Sequence, residues 1–191
     1  MDEAHPKNPT TTYAAGKAAA DMLIETYVKM YGLDIFIVRP FNNFGPKQSF
    51  TGNSAAVIPI TIWRIYNNRN PIIHGSGKQE REFIYVKDTA KIIITIFSKA
   101  KKGETINILT GNNITILKLV NLIIKILNFK KKKIFTKPRT ADVYCHNGCN
   151  KKLKKITNIK KNNFNLQLKD TVNYYLEYFK KNEKKSINNR P

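Results

Sequence analysis

Tyr13 and Lys17, near the start of the chain, have the residue types and spacing of a base and its activating cation. They are four residues apart, so on a helix both side chains project from one face about one turn apart. An ammonium beside a phenol favours the phenolate, which makes Tyr13 a candidate general base that removes a hydroxyl proton while hydride leaves the same carbon. Nine tyrosines in so lysine-rich a chain give roughly one such pair by chance, so the surrounding sequence must decide.

The sequence around this pair predicts a helix followed by a buried strand. Residues 10–12 end a loop with a threonine suited to an N-cap, residues 13–31 are alanine-rich with apolar residues at helical spacing, and Gly32 closes the helix. Residues 35–38 form a short, continuous apolar run, as in a strand that is buried on both faces of a parallel sheet. A loop over residues 42–52 is expected next.

The rest of the chain alternates between the two kinds of element. Helices are predicted over residues 57–66, 88–100, 116–127 and 168–179, strands over residues 71–74, 82–86 and 105–109, and turns at residues 75–78 and 111–113. A polar tail that frays is expected from Lys180. The alternation indicates an α/β protein.

Composition favours a soluble protein. The 191 residues are 41% hydrophobic, which is enough to bury the core of one ordinary domain. Each apolar run is broken by polar residues well before the roughly 20 needed to cross a bilayer. The first residues lack the basic start and apolar stretch of a secretory signal. A cytoplasmic protein without a membrane partner is therefore expected.

The formal net charge of +21 raises nucleic-acid binding as an alternative. Most of the charge is lysine, clustered at residues 130–133, 151–155 and 180–185. Aromatic residues do not interleave with these clusters as a platform for stacked bases requires. The abundance of lysine, isoleucine and asparagine indicates AT-rich codons, so a solvated basic surface is the favoured interpretation.

The two cysteines do not make a metal site by themselves. Cys145 and Cys149 flank His146, but no further ligand follows at a suitable spacing, and the other two histidines are remote in sequence. No metal is predicted, and both cysteines are expected to be reduced thiols.

Several motifs in a fixed order carry a family resemblance. They are Pro9-Thr-Thr-Thr-Tyr13-Ala-Ala-Gly-Lys17-Ala-Ala-Ala-Asp21, Tyr31-Gly-Leu-Asp34, Val38-Arg-Pro-Phe-Asn-Asn-Phe-Gly-Pro-Lys-Gln48, Ala56-Val-Ile-Pro59, Pro71-Ile-Ile-His-Gly-Ser-Gly-Lys-Gln-Glu-Arg-Glu-Phe-Ile-Tyr-Val-Lys-Asp88 and Ile106-Asn-Ile108. This order, over most of residues 2–142, resembles the extended short-chain dehydrogenases/reductases of the NAD-dependent epimerase/dehydratase type, which act on nucleotide sugars.

The resemblance implies an α/β fold with an incomplete Rossmann-like parallel sheet, whose N-terminal half is absent, and a smaller α/β substrate-binding region. Residues 1–52 would be a remnant of the dinucleotide-binding domain, residues 53–180 the nucleotide-sugar-binding region interleaved with the last Rossmann elements, and residues 181–191 a polar tail. The first strands of such sheets lie at the centre. Without them, the apolar faces of residues 13–31 and 35–38 are expected to be exposed.

For the cofactor, the resemblance implies NAD. Tyr13 matches the catalytic base, and Lys17 matches its partner, which also holds the nicotinamide ribose. Pro40 and Phe41 match residues that border the nicotinamide. The Gly-rich turn that binds the NAD pyrophosphate has no counterpart in this sequence, nor has the Ser or Thr that polarises the substrate hydroxyl.

For the substrate, the resemblance implies a nucleotide-diphosphate sugar. Asn42, Arg81 and Arg139 match residues that contact the diphosphate. Taken singly, Asn42 also suits a turn, and Arg81 also suits an ion pair with Asp88 or a glutamate. Downstream the pattern departs from the family, because Cys149-Asn-Lys-Lys152 stands where Asp-x-Ser-Lys is usual.

The function implied is NAD-dependent epimerisation or dehydration of a nucleotide sugar, with transient oxidation at the sugar C4. The alternative is an inactive truncated product, or a sugar-nucleotide-binding module that needs a separate N-terminal half. The family resemblance also implies a homodimer through the helix over residues 13–31.

Overall fold

The computed structural model of the chain describes residues 1–52, 55–111, 113–139, 144–145, 147–158 and 163–188, with side chains in the last range described as far as Glu183. The elements are α1 (Thr12–Tyr31), β1 (Ile37–Pro40), β2 (Asn42–Phe44), α2 (Val57–Tyr66), β3 (Ile72–His74), β4 (Glu80–Tyr85), α3 (Val86–Phe97), β5 (Thr105–Ile108), β6 (Asn113–Thr115), α4 (Ile116–Ile126), β7 (Ile134–Thr136), α5 (Lys151–Ile156) and α6 (Phe164–Asn188). Within the described residues, no helix is long and apolar enough to cross a membrane.

The chain divides into two compact units, each built from three separate stretches of sequence. Unit 1 comprises Met1–Asn43, Arg81–Asn113 and Thr140–Lys161, and unit 2 comprises Phe44–Glu80, Ile114–Arg139 and Asn162–Pro191. The strands form two parallel pairs, β1-β5 and β3-β7, and a three-stranded sheet in the order β2-β4-β6.

The core of unit 1 lies against the parallel pair β1-β5. Ile37 is opposite Thr105 and Pro40 is opposite Ile108, so the carboxyl ends of both strands meet at one edge. Six buried apolar side chains from β4, α3, β5 and α5 form the core cluster: Ile84, Ile92, Ile96, Ile106, Ile108 and Leu153. Burial of each of these side chains contributes about 1.5–3 kcal/mol to the free energy of unfolding. Val38 of β1 packs against the cluster, so the core holds in place the strand that leads into Phe41 and Asn42.

Unit 2 has a helical core made by α2, α4 and α6, which pack on one another. Each helix contributes buried apolar residues at helical spacing: Ile58, Ile62 and Ile65 from α2, Leu119, Val120 and Ile123 from α4, and Leu168, Val172 and Tyr175 from α6. Gly77, in the turn between β3 and β4, has φ +73°, and a Cβ there would lie 2.9 Å from Ile73 Cγ2 and 3.0 Å from Leu117 Cβ in α4. This turn therefore requires glycine.

Helix α1 is well capped yet buries no residue. Thr11 accepts a hydrogen bond from the Ala14 amide, and Gly32 ends the helix in the left-handed conformation. Large apolar side chains on α1 are exposed, Leu23 by 59% and Met30 by 66%. The prediction of an exposed apolar face is thus confirmed for this helix. It is wrong for the following strand, because Ile37 is buried in the β1-β5 pair.

Local periodicity predicted the helices better than the short strands. The sequence predicts a loop over residues 42–52 and a turn at residues 111–113, whereas residues 42–44 form β2 and residues 113–115 form β6. Both strands have three residues and pair with β4. Periodicity over so few residues does not reveal such pairing. The final helix also continues beyond the predicted residue 179, as far as Asn188.

A carboxylate in unit 1 makes the stability of this unit depend on pH. Burial alone raises the pKa of Glu104, but hydrogen bonds from the Lys101 amide (2.8 Å) and an ion pair with Lys152 (3.2 Å) outweigh it and hold the pKa below its usual range. A folded-state pKa below the unfolded value stabilises the fold above about pH 4.5, and this contribution is lost as the pH falls through the folded-state pKa.

Lys152→Met should flatten the acid side of the stability profile. The substitution removes the partner that favours ionised Glu104, so the difference in melting temperature between wild type and variant should shrink as the pH falls from 6 to about 3. The pair is partly exposed, so the effect at pH 6 should stay within about 1 kcal/mol. Lys151→Met is the matched control. An unchanged difference at every pH would contradict the assignment to Glu104.

Candidate active site

Tyr13 and Lys17 lie on the same face of α1, as their spacing predicts. The Lys17 Nζ atom is 5.9 Å from the centroid of the Tyr13 ring. Both side chains are exposed, Tyr13 by 75%. The pair is therefore accessible to a ligand, with the Lys17 ammonium over the Tyr13 ring.

Arg39 in β1 connects the strand to the helix that carries this pair. Its Nη2 is 2.7 Å from the Asp21 carboxylate, and its Nε donates to the same oxygen. Asp21 is one turn beyond Lys17 on α1. Lys7, in the segment before α1, donates a hydrogen bond to the Glu25 carboxylate at 2.7 Å. This bond lowers the pKa of the Glu25 carboxyl. These contacts hold the Tyr13 helix in register with the end of β1.

Pro40 and Phe41 lie at the carboxyl end of β1, where the sequence places them. Pro40 is exposed, and the half-buried Phe41 donates its amide to the Ile108 carbonyl at 3.0 Å. A Cβ on Gly148 would lie 2.5 Å from Phe41 Cζ and 2.3 Å from Leu109 Cδ1. Sequence reasoning missed Gly148, which must lack a side chain for its segment to pack against the Phe41 ring.

Asn42 is an exposed residue in β2, and its side chain has a fixed orientation. Its Nδ2 donates to the Glu82 carbonyl at 2.8 Å. An amide nitrogen carries two hydrogens, so one N–H remains for a ligand. The alternative of a turn residue is wrong here, because Asn42 begins a strand.

Glu82, in β4, is a buried residue with a structural role. It is 1% exposed, and its Oε1 accepts hydrogen bonds from the Thr110 hydroxyl (3.0 Å) and the Gly111 amide (2.5 Å). Asn150 donates to the Thr110 carbonyl from the other side at 3.2 Å. The buried carboxylate therefore holds the loop after β5, while its own carbonyl orients Asn42.

Glu82→Ala should destabilise the chain markedly. The substitution leaves the Gly111 amide and the Thr110 hydroxyl without their buried acceptor, which costs about 2–3 kcal/mol of unfolding free energy. Urea unfolding followed by circular dichroism measures the change. Glu177→Ala on the exposed face of α6 is the control and should stay within about 0.5 kcal/mol. Equal effects of the two substitutions would show that Glu82 has no such role.

The two arginines lie in different units. Arg81 is half-buried in β4 of unit 1, and Arg139 is exposed after β7 in unit 2. Their contact with a diphosphate stays a prediction.

Cys145 and Cys149 do not form a disulfide bond. The Cys145 thiol is 3.3 Å from Asn147 Oδ1. His146 lies outside the described residues. Within the part that the structure describes, no three His, Cys, Asp or Glu side chains cluster in a way that would hold a metal ion.

The model of the NAD dependent epimerase/dehydratase family matches residues 1–108, which is more than half of the 191 residues. The chain belongs to this family. The resemblance drawn from the ordered motifs is thereby confirmed. Every predicted site residue except Arg139 lies within the matched stretch.

Sequence and structure comparisons extend the family assignment. Human dTDP-D-glucose 4,6-dehydratase is 36% identical over 127 residues, 66% of this chain and 35% of the human protein. The UDP-N-acetylglucosamine 4-epimerase of Methanobrevibacter ruminantium M1, solved with UDP-N-acetylmuramic acid, has a TM-score of 0.87 at 32% identity, covering 93% of this chain and 57% of that one. A Bacillus anthracis dTDP-glucose 4,6-dehydratase in complex with NAD has a TM-score of 0.84 at 27% identity, covering 93% and 56%.

The epimerase/dehydratase chain thus spans about a third of its human relative and just over half of these two solved structures. The comparisons confirm the Rossmann-like α/β fold class. NAD is the cofactor of the family. Lys17 and Tyr13 share a helix face and Phe41 follows the neighbouring strand, and their contact with the nicotinamide stays a prediction. The sequence has no Gly-rich turn to fit the pyrophosphate end.

Proposed function

We propose that this chain carries the base and the substrate-binding residues of an NAD-dependent nucleotide-sugar epimerase or 4,6-dehydratase that oxidises the sugar transiently at C4. The observation that carries the proposal is the Tyr13–Lys17 pair on one exposed face of α1, within the stretch that matches the family. Relatives of both activities are similar to this chain at 32–36% identity, so the choice between epimerisation and dehydration stays open.

In the proposed reaction, the Tyr13 oxygen takes the proton of the C4 hydroxyl, and the Lys17 ammonium stabilises the phenolate that does so. NAD, when bound, supplies the acceptor for the C4 hydride. Asn42 has one amide hydrogen engaged by Glu82 and offers the other to the diphosphate. Arg81 and Arg139 each carry a guanidinium group of the kind that binds phosphate oxygens.

A second candidate function is a non-catalytic sugar-nucleotide-binding module. One feature favours it: α1, which carries Tyr13 and Lys17, has no buried residue. In that case the chain works beside a separately encoded N-terminal half, or binds without turnover.

For either function, the protein is proposed to be cytoplasmic and to form a homodimer through α1, because the exposed apolar side chains of this helix need a partner surface.

Incubation of UDP-glucose or dTDP-glucose and NAD with a protein that joins this chain to the dinucleotide-binding half of a relative separates the two functions. A 4-epimer or a 4-keto product, resolved by chromatography and lost with Tyr13→Phe, would establish the catalytic function. Binding of either sugar nucleotide without turnover, measured by calorimetry and weakened about tenfold or more by Arg81→Ala, would establish the module. Failure to bind either sugar nucleotide would contradict both functions.

A further inference from the structure

Unit 2 contains an aromatic cleft that the proposed reaction does not use. It has a volume of about 380 Å³ and lies between the loop at residues 47–51 and the α6 residues Tyr174, Tyr175 and Tyr178. Small-molecule sites have volumes of about 300–1,000 Å³, with apolar walls and a few polar groups. The cleft therefore has room for a ligand of one or two rings.

The two walls of this aromatic cleft are fixed to each other. The Tyr175 hydroxyl donates to the Gln48 carbonyl at 2.5 Å. Burial raises the pKa of Tyr175 to about 12, so this donor keeps its proton throughout the ordinary pH range. Phe50 packs edge-on against Tyr175, Tyr178 and Phe179, with ring centroids 5.1–6.2 Å away. A ligand would meet a preformed cleft and would not have to order the loop.

The α6 wall presents two nearly parallel rings. Tyr174 and Tyr178 are one helical turn apart, with centroids 6.2 Å apart and planes inclined by 24°. Tyr174 is half-buried and Tyr178 is 42% exposed. Both rings line the cleft, so a planar ligand bound there would contact them.

Lys47 supplies the charge at the loop side of the cleft. Its φ of +68° is in the left-handed region, which favours glycine and costs a lysine about 1 kcal/mol or more. Within the described residues, no carboxylate is paired with its ammonium. The fold thus holds an unneutralised cation at a position where glycine would be less strained.

We propose that the cleft formed by Lys47, Phe50, Tyr174 and Tyr178 binds a small aromatic anion, with the ring on the tyrosines and the phosphate or carboxylate at Lys47. Aromatic walls also suit quaternary ammonium ligands, but the Lys47 ammonium and the net charge of +21 oppose a cation. The site lies wholly in unit 2 and does not depend on the proposed sugar-nucleotide function.

The test is a titration of the ¹⁵N-labelled full chain with phenyl phosphate, followed by NMR. Shifts should centre on residues 47–51, 174 and 178. Lys47→Gly should weaken binding about threefold while the melting temperature stays equal or rises, because glycine relieves the left-handed strain. Tyr174→Leu should weaken binding about fivefold or more. Lys169→Ala, which removes a charge from α6 outside the cleft, should leave the affinity unchanged.

Three comparison ligands complete the test. Cyclohexyl phosphate should bind more weakly than phenyl phosphate, and tetramethylammonium should not shift the cleft residues. If UMP binds more tightly than phenyl phosphate and Lys47→Gly weakens that binding as well, the ligand of the cleft is a nucleotide and not a simpler aromatic anion. Equal affinity of phenyl phosphate for wild type and Lys47→Gly, equal affinity for the cyclohexyl compound, or shifts with tetramethylammonium would overturn the proposal.

Discussion

Tyr13→Phe should abolish turnover, lowering it roughly 10²–10⁴-fold, in a protein that combines this chain with the dinucleotide-binding half of a relative. The substitution removes the oxygen that takes the C4 proton and keeps the ring that Lys17 faces. Binding of the sugar nucleotide should be nearly unchanged, because the diphosphate contacts lie elsewhere in the proposed site.

Tyr27→Phe is the matched control for this experiment. Tyr27 is exposed on the same helix, and its ring packs 5.3 Å from that of Tyr31. The control should keep full turnover. Retained activity in the Tyr13 variant would remove Tyr13 from the mechanism, whereas equal loss in both variants would indicate damage to α1.

Leu23→Gln with Met30→Gln should convert a self-associating chain into a monomer. The two residues are 59% and 66% exposed and lie two turns apart on α1, with Tyr27 between them on the same stripe. If association buries this stripe, removing two apolar side chains should weaken it roughly a hundredfold or more. The molar mass measured by light scattering should be twice the chain mass of 22.0 kDa for the wild type and equal to the chain mass for the variant.

Ile94→Gln on α3 is the control for the association experiment. Ile94 is 74% exposed, so its replacement removes comparable apolar surface from unit 1 without changing α1. Its variant should associate as the wild type does. A wild-type chain that is monomeric at all concentrations tested would show that α1 needs no partner, and a fall in mass with Ile94→Gln alone would move the interface to α3.

The sequence predicted those parts of the fold that depend on neighbours along the chain. The predicted bounds of α2 are those observed, and α1 begins one residue earlier than predicted, because caps, apolar spacing and the following glycine or asparagine are local features. Strands β2, β6 and β7 have three residues each, and their existence depends on partners elsewhere. A run of three residues has too little periodicity to reveal such a strand unless turn residues follow it directly, as residues 75–78 follow β3.

The same distinction applies to the candidate site. Tyr13 and Lys17 share a helix, so their spacing was enough to predict the contact. Glu82 acts through a loop 28 and 29 residues later in the chain, and Gly148 matters because the Phe41 ring, far earlier in the sequence, lies against it. Both roles follow from the tertiary fold. Unusual burial of a carboxylate in a β-strand was the only signal for Glu82, and it requires a structure to be seen.

The discontinuous make-up of the two units has a consequence for synthesis on the ribosome. Each unit is closed by a stretch that begins at or after residue 140, so neither can complete its core until nearly the whole chain has emerged. Ile84 is covered only when Leu153 of α5 has been made, and α2 packs against α6, which comes last. Pairing over such sequence separations is slow and leaves apolar surface open to other chains. Nascent chains shorter than about 150 residues should therefore be digested by protease. Chaperones should still bind the chain late in translation.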